Sequence, residues 1–145
     1  NMTQVFEIFS LLNSIIFALI SFLHVYWAFG GKSFFLSAIP KDRSGKLIFS
    51  PGPIACLIVA SGLLLFTALN LLNFFSYFPK EYQNFNKAAF FLIALIFGLR
   101  AIGDLSYVGF FKKVRSGVFA KWDTLLYSPL CLFLSLSHLI LGQII

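Results

Sequence analysis

Two charged side chains interrupt an apolar run that has little room for charge. Arg100 and Asp104 fall inside the stretch from about Ala88 to Phe111, the one oppositely charged pair within any apolar run of the chain. At i and i+4 of a helix they share a face and can pair directly, and Tyr107 continues that face. An ionisable group at bilayer depth is costly and marks a functional site by default. At the helical rise, Asp104 lies roughly 10 Å and Arg100 roughly 16 Å from the end of their stretch. His24 lies roughly 8 Å from the end of the first apolar stretch, at the same side of the membrane, with Tyr26 and Trp27 next in the chain. A carboxylate beside an imidazole can hold or orient a proton, which makes His24 and Asp104 the candidate catalytic pair. Arg100 would anchor an anion, Tyr107 would donate a hydrogen bond, and Tyr26 and Trp27 would line a substrate site. The competing reading is a buried polar network that fixes helix packing without any ligand, because a salt bridge alone is weak evidence for stability.

Other chemistry finds less support. A bis-histidine haem needs two ligands at one level, and His138 lies roughly 6 to 13 Å farther from that side than His24. Two histidines without a spaced cluster of carboxylates or thiols make a weak metal signal, so neither metal nor cofactor is expected. Cys56 and Cys131 form neither a disulfide framework nor a C-x-x-C pair. Asn70 and Asn73 read as interhelical or interfacial hydrogen-bonding amides. The chain has no G-x-S-x-G elbow, no phosphate-binding P-loop and no H-E-x-x-H.

The elements that must position these residues follow from composition. Of 145 residues, 59% are hydrophobic and 11% charged, against about 25% charged in ordinary soluble domains. One core of this size could not hide so much apolar surface, and disordered chains are poor in Phe, Leu and Ile. The formal charge of +6 is not gathered into a basic stripe, so nucleic acid is not an expected partner. An integral membrane protein remains. A span needs about 20 mostly apolar residues, and four stretches qualify: about Val5 to Phe29, Ile54 to Phe78, Ala88 to Phe111 and Leu125 to Ile145. The first lacks a basic leader and reads as a retained helix rather than a cleaved signal. The expected fold is an all-α four-transmembrane-helix bundle forming a single domain.

Punctuation fits that reading. Gly30 and Gly31 end the first helix, Pro51 to Pro53 open the second, and Asn86 can cap the third. At the fourth, either Ser128-Pro129 is cap and first residue, or Asp123 caps a longer helix that Pro129 kinks. Lys32, Lys41, Arg43 and Lys46 lie between helices one and two, and Lys112, Lys113, Arg115 and Lys121 between three and four; the opposite side has only Lys80 and Lys87. The positive-inside rule then places both termini outside and the two basic loops in the cytoplasm. The loop from Gly30 to Pro53 is long, and such loops are uncommon unless functional or disordered. Its apolar flanks, Ser33 to Leu36 and Leu47 to Phe49, surround a Lys41 to Gly45 turn, which predicts an ordered cytoplasmic cap with a short hairpin.

Several runs carry a resemblance. His24-Val25-Tyr26-Trp27-Ala28-Phe29-Gly30-Gly31, Ile39 to Arg43, Pro51-Gly52-Pro53, Arg100-Ala101-Ile102-Gly103-Asp104, Tyr107 to Lys113 and Asp123 to Cys131 occur in this order. Together they resemble a family of small bacterial four-helix membrane proteins known only as a domain of unknown function. The resemblance covers nearly the whole chain. It implies a multi-pass protein of the bacterial inner membrane, with motif residues gathered in the cytoplasmic half and no activity to carry over. His138 lies outside these runs.

Three readings of function follow. The leading one is binding or modification of a small amphiphile or lipid at the His24, Arg100, Asp104 and Tyr107 cluster. The second is a small oligomeric transporter or proton-coupled subunit. The third is a structural or assembly protein. Whether the chain is an enzyme stays open at this point. Membrane lipids are the expected partners, with a homo-oligomer among the alternatives.

Overall fold

A computed structural model describes residues 1–145. The chain is all-helical apart from one isolated antiparallel bridge between Lys41 and Leu47. Helix α1 (Met2–Ala28) and α2 (Pro53–Phe74) supply two spans; a 3-10 turn at Lys80–Tyr82 runs into α3 (Gln83–Ile102) for the third. The fourth span, Val118–Ile144, joins α4 (Val118–Trp122), a π turn (Asp123–Tyr127) and α5 (Ser128–Ile144). All four are long and apolar enough to cross a membrane. Their outer faces carry exposed Leu, Ile and Phe, as a lipid solvent allows.

The helix ends explain the spans. Gly30 at φ +89° closes α1 in a Schellman turn, with Gly31 N–H donating to Tyr26 and Gly30 N–H to Trp27. The same motif closes α2 around Ser76, whose φ of 57° is unusual for a residue with a side chain. Three expectations need correction. The third span ends at Ile102 rather than near Phe111, because the chain reverses at Gly103, φ +87°. Asn86 lies within α3 and caps nothing; it pairs with Asn73 of α2. The fourth span begins at Val118, after Gly117, so neither Asp123 nor Ser128 is its cap. Pro129 lacks the N–H for the usual helical bond, and the π turn absorbs it, with Ser128 N–H reaching back to the Asp123 carbonyl.

Helix α1 lies mainly against α2, and α3 mainly against α5, so the bundle consists of two hairpins. Small residues permit the close approaches. Ser21 Oγ donates to the Ala60 carbonyl at 2.7 Å, and Ser135 Oγ donates to Ala94 at 2.7 Å beside Gly98. The hairpins meet around Phe17, whose ring lies 5.5 Å from Phe66, 5.3 Å from Phe97 and 5.5 Å from the His138 imidazole. Leu63, Phe90, Ile93, Leu134 and Leu141 complete this core. Five side-chain hydrogen bonds cross between the hairpins. Ser137 donates to Asn13, Asn70 donates to His138, Asn73 and Asn86 exchange two bonds, and Tyr127 donates to the Ser37 carbonyl.

Four antiparallel spans put both termini at one end of the bundle and both basic loops at the other. The loop after α1 has the expected hairpin turn, but Phe34, Leu36, Ile48 and Phe49 of its apolar flanks are exposed. Ile39 and Pro40 are buried, and Asp42 closes the hairpin turn by accepting from Ser44 N–H, Ser44 Oγ and Lys46 N–H.

Candidate functional site

The loop from Gly103 to Gly117 begins as a pinch. A Cβ on Gly103 would collide with the Val108 carbonyl, and one on Gly109 with the Ile102 carbonyl. Both glycines also hold positive φ, which side chains disfavour. Phe110 N–H donates to the Ala101 carbonyl at 2.8 Å, fixing the returning strand of chain against the end of α3. Asp104 organises the turn itself: its Oδ1 accepts from the N–H groups of Ser106, Tyr107 and Val108 at 2.7–2.9 Å. Partial burial pushes its carboxyl up, but the N–H groups of Tyr107, Val108 and Ser106 outweigh it and hold the carboxyl below its ordinary value.

The Arg100–Asp104 pair expected from i,i+4 spacing is therefore absent, because α3 ends between them. Arg100 pairs instead with Asp123, its Nη2 donating to Oδ1 at 2.9 Å. The pinch delivers two further donors to the same carboxylate. Gly109 N–H reaches Oδ2 at 2.8 Å, and Lys112 Nζ reaches it at 3.0 Å. Lys112 also donates to the Gly109 carbonyl and to Thr124 Oγ1, so its ammonium meets three acceptors. The Lys112 and Asp123 side chains are both wholly buried, whereas that of Arg100 is 33% exposed. Arg100 Nη1 is buried and meets no partner, and the same holds for Ser128 Oγ.

Charge does not balance here. One carboxylate faces one guanidinium and one ammonium. The other four acidic side chains are Glu7, Asp42, Glu81 and Asp104, and none of them pairs with either cation. A net positive group thus sits where α3, the α3–α4 loop and the π turn converge.

The remaining expected site residues lie at the same end without converging on Arg100. His24 Nδ1 faces its own helix at the Ile20 carbonyl, 2.8 Å away, and its ring meets Trp27 edge-on at 5.0 Å. Trp27 Nε1 donates to the Ser33 carbonyl and Tyr26 Oη donates to Ser33 Oγ, so both hold the start of the long loop. Tyr107 is half-buried in the α3–α4 loop. No hydrogen bond joins His24 to Arg100, Asp104 or Tyr107; the His24–Asp104 proton pair has no direct contact. No group of three His, Cys, Asp or Glu side chains converges anywhere in the chain.

Sequence reasoning missed Lys112, which it placed in a basic loop, and Asp123, which it offered only as one of two caps for the fourth helix. One signal was available: Asp123 is the one acid near the Lys112–Lys121 basic run and could be expected to neutralise a member of it. Sequence reasoning weighed His138 only as a haem ligand. That imidazole is fully buried, with Phe90 at 5.3 Å and Asn70 Nδ2 at 3.1 Å from Nε2. With the proton on Nδ1, the ring donates to the Leu134 carbonyl at 2.7 Å and accepts from Asn70. His138 thereby links α2 to α5 in mid-bundle.

No curated protein and no solved structure matches the chain. A family described as "Protein of unknown function (DUF3995)" matches residues 17–138. That match spans well over half of the sequence and includes α2, α3, the pinched loop, Arg100 and Asp123, so the chain belongs to the DUF3995 family.

Proposed function

We propose that this integral membrane protein binds a small amphiphile with an anionic head at the basic end of the bundle, with Arg100 as the anchor. The observation that carries the reading is the charge imbalance: two cations share Asp123, and Arg100, 33% exposed, is the one of them that a ligand can reach. An uncompensated cation in a low-dielectric setting is costly, and an anion beside it recovers much of that cost. A guanidinium also suits the geometry of phosphate and carboxylate oxygens. Asp123 and Lys112 position Arg100 rather than touch the ligand. Exposed Leu99 and Ile102 on the last turn of α3 offer an apolar surface for a tail. His24 and Tyr107 flank the same end, and binding requires no proton transfer between His24 and Asp104.

The positive-inside rule assigns the basic end to the cytoplasm, and the amphiphile to the inner leaflet of a bacterial cytoplasmic membrane. Membrane lipids are the natural source of such a ligand. Native mass spectrometry of the purified protein, with identification of retained lipid, tests the reading. Wild type should retain an anionic amphiphile, and Arg100→Gln should lose it while remaining folded. Equal retention by the two proteins, or retention of neutral lipid alone, refutes the proposal.

A further inference from the structure

The two basic loops border a second polar feature, an open groove that Arg100 does not line. A groove of about 430 Å³ runs between the hairpin turn of the first loop and the pinched second loop, lined by Asp42, Arg43, Ser44, Ser106, Tyr107, Lys113 and Val114. Its size falls in the range of small-molecule sites. Each loop contributes one cation, Arg43 from the first and Lys113 from the second, and neither takes part in a salt bridge.

The groove's one carboxylate is already engaged. Asp42 accepts from Ser44 N–H, Ser44 Oγ and Lys46 N–H through a single oxygen. The Ser44 hydroxyl foremost, with Lys46 N–H and the Lys46 charge, holds its carboxyl below the ordinary range, so it stays ionised within its own turn. Arg43 and Lys113 form no salt bridge, and the half-buried Tyr107 and Ser106 line the same groove. A fork-shaped guanidinium, a point-charge ammonium and two hydroxyl-bearing side chains along one open groove supply the donor types that phosphate oxygens take.

We infer that this groove is a binding site for a phosphate group, presented by a soluble phosphate ester or by a lipid head. It is separate from the Arg100 site and does not depend on it. The probe is inorganic pyrophosphate, titrated calorimetrically into the protein in phosphatidylcholine nanodiscs. Saturable binding is expected, weakened about tenfold or more by Arg43→Gln and by Lys113→Gln. Arg43→Lys should recover part of the loss. Lys32→Gln and Lys121→Gln remove equal charge from the same end outside the groove, and should change affinity less than about twofold. Arg100→Gln should leave pyrophosphate binding intact even where it abolishes lipid retention, so the two readings fail separately. Repeating the titration with phosphatidylglycerol in the discs identifies the source: competition marks a lipid head as occupant, and unchanged affinity marks a soluble ester. Absence of saturable binding overturns the inference. So does equal weakening by the groove and control variants, which would mark diffuse attraction to a basic surface.

Discussion

Replacing Asp123 by Asn tests the load carried by the buried ion cluster. The substitution keeps the shape but removes the charge that Lys112 and Arg100 share, stranding a wholly buried ammonium. Breaking a buried pair by removing one partner costs about 3–5 kcal/mol. For a chain of 145 residues, that corresponds to a fall in melting temperature of roughly 6–20 °C. Lys112→Met should cost less, about 1–3 kcal/mol, since Asp123 keeps Arg100 and the Gly109 N–H. The double variant should then be more stable than the sum of the singles requires, by about 1 kcal/mol or more. Tryptophan fluorescence during heating in detergent supplies the assay, with Trp122 adjacent to Asp123 as a local reporter. The reasoning fails if Asp123→Asn melts within about 2 °C of wild type, or if Lys112→Met proves the more damaging single change.

Three further outcomes follow from the backbone and the loops. Gly109→Ala should cost at least about 2 kcal/mol, combining a disfavoured φ with collision against Ile102. Gly45→Ala, with a similar φ but open space around it, should cost only about 1–2 kcal/mol, and a thermal melt of both separates strain from collision. Ser76→Gly should stabilise the protein by about 1 kcal/mol by relieving the positive φ that ends α2; an unchanged or lowered melting temperature contradicts this. Asp104, its folded pKa depressed below 3.8, contributes stability that is present above that pH and is lost as the pH falls through the folded value. Asp104→Asn should therefore be less stable than wild type at neutral pH and lack this acid-dependent loss, as melts from pH 7 to pH 2.5 would reveal.

Much of the architecture was legible because the bilayer imposes a coarse rule. Apolar length placed four spans, the Gly30-Gly31 pair placed the end of α1, and the Lys41 to Gly45 segment marked the hairpin turn of the first loop. The end of α3 was illegible for a definite reason. Leu105, Val108, Phe110 and Phe111 continue the hydrophobic run past Ile102, so hydropathy alone cannot see the chain turning back at Gly103. The steric need of Gly103 for Gly109 exists only after the loop has folded. Misplacing that end put Asp104 beside Arg100. Arg100 was rightly singled out as needing a partner, but the partner came from twenty-three residues downstream. Helix period describes neighbours on one rod and is silent on contacts made through a reversal. His138 was undervalued by the same limit, since its side-chain partner Asn70 lies on another helix.

The division into two hairpins bears on how the chain is built in the cell. Every hydrogen bond between the halves is made by a side chain, and the two salt bridges both lie within the second half. Each half holds two spans packed mainly against each other, so the amides and His138 supply the polar code by which the halves dock laterally. Cutting the connection near Pro79 should leave that code untouched. Two separately translated halves would be expected to find each other in the membrane, with Asn70 and His138 deciding whether they do.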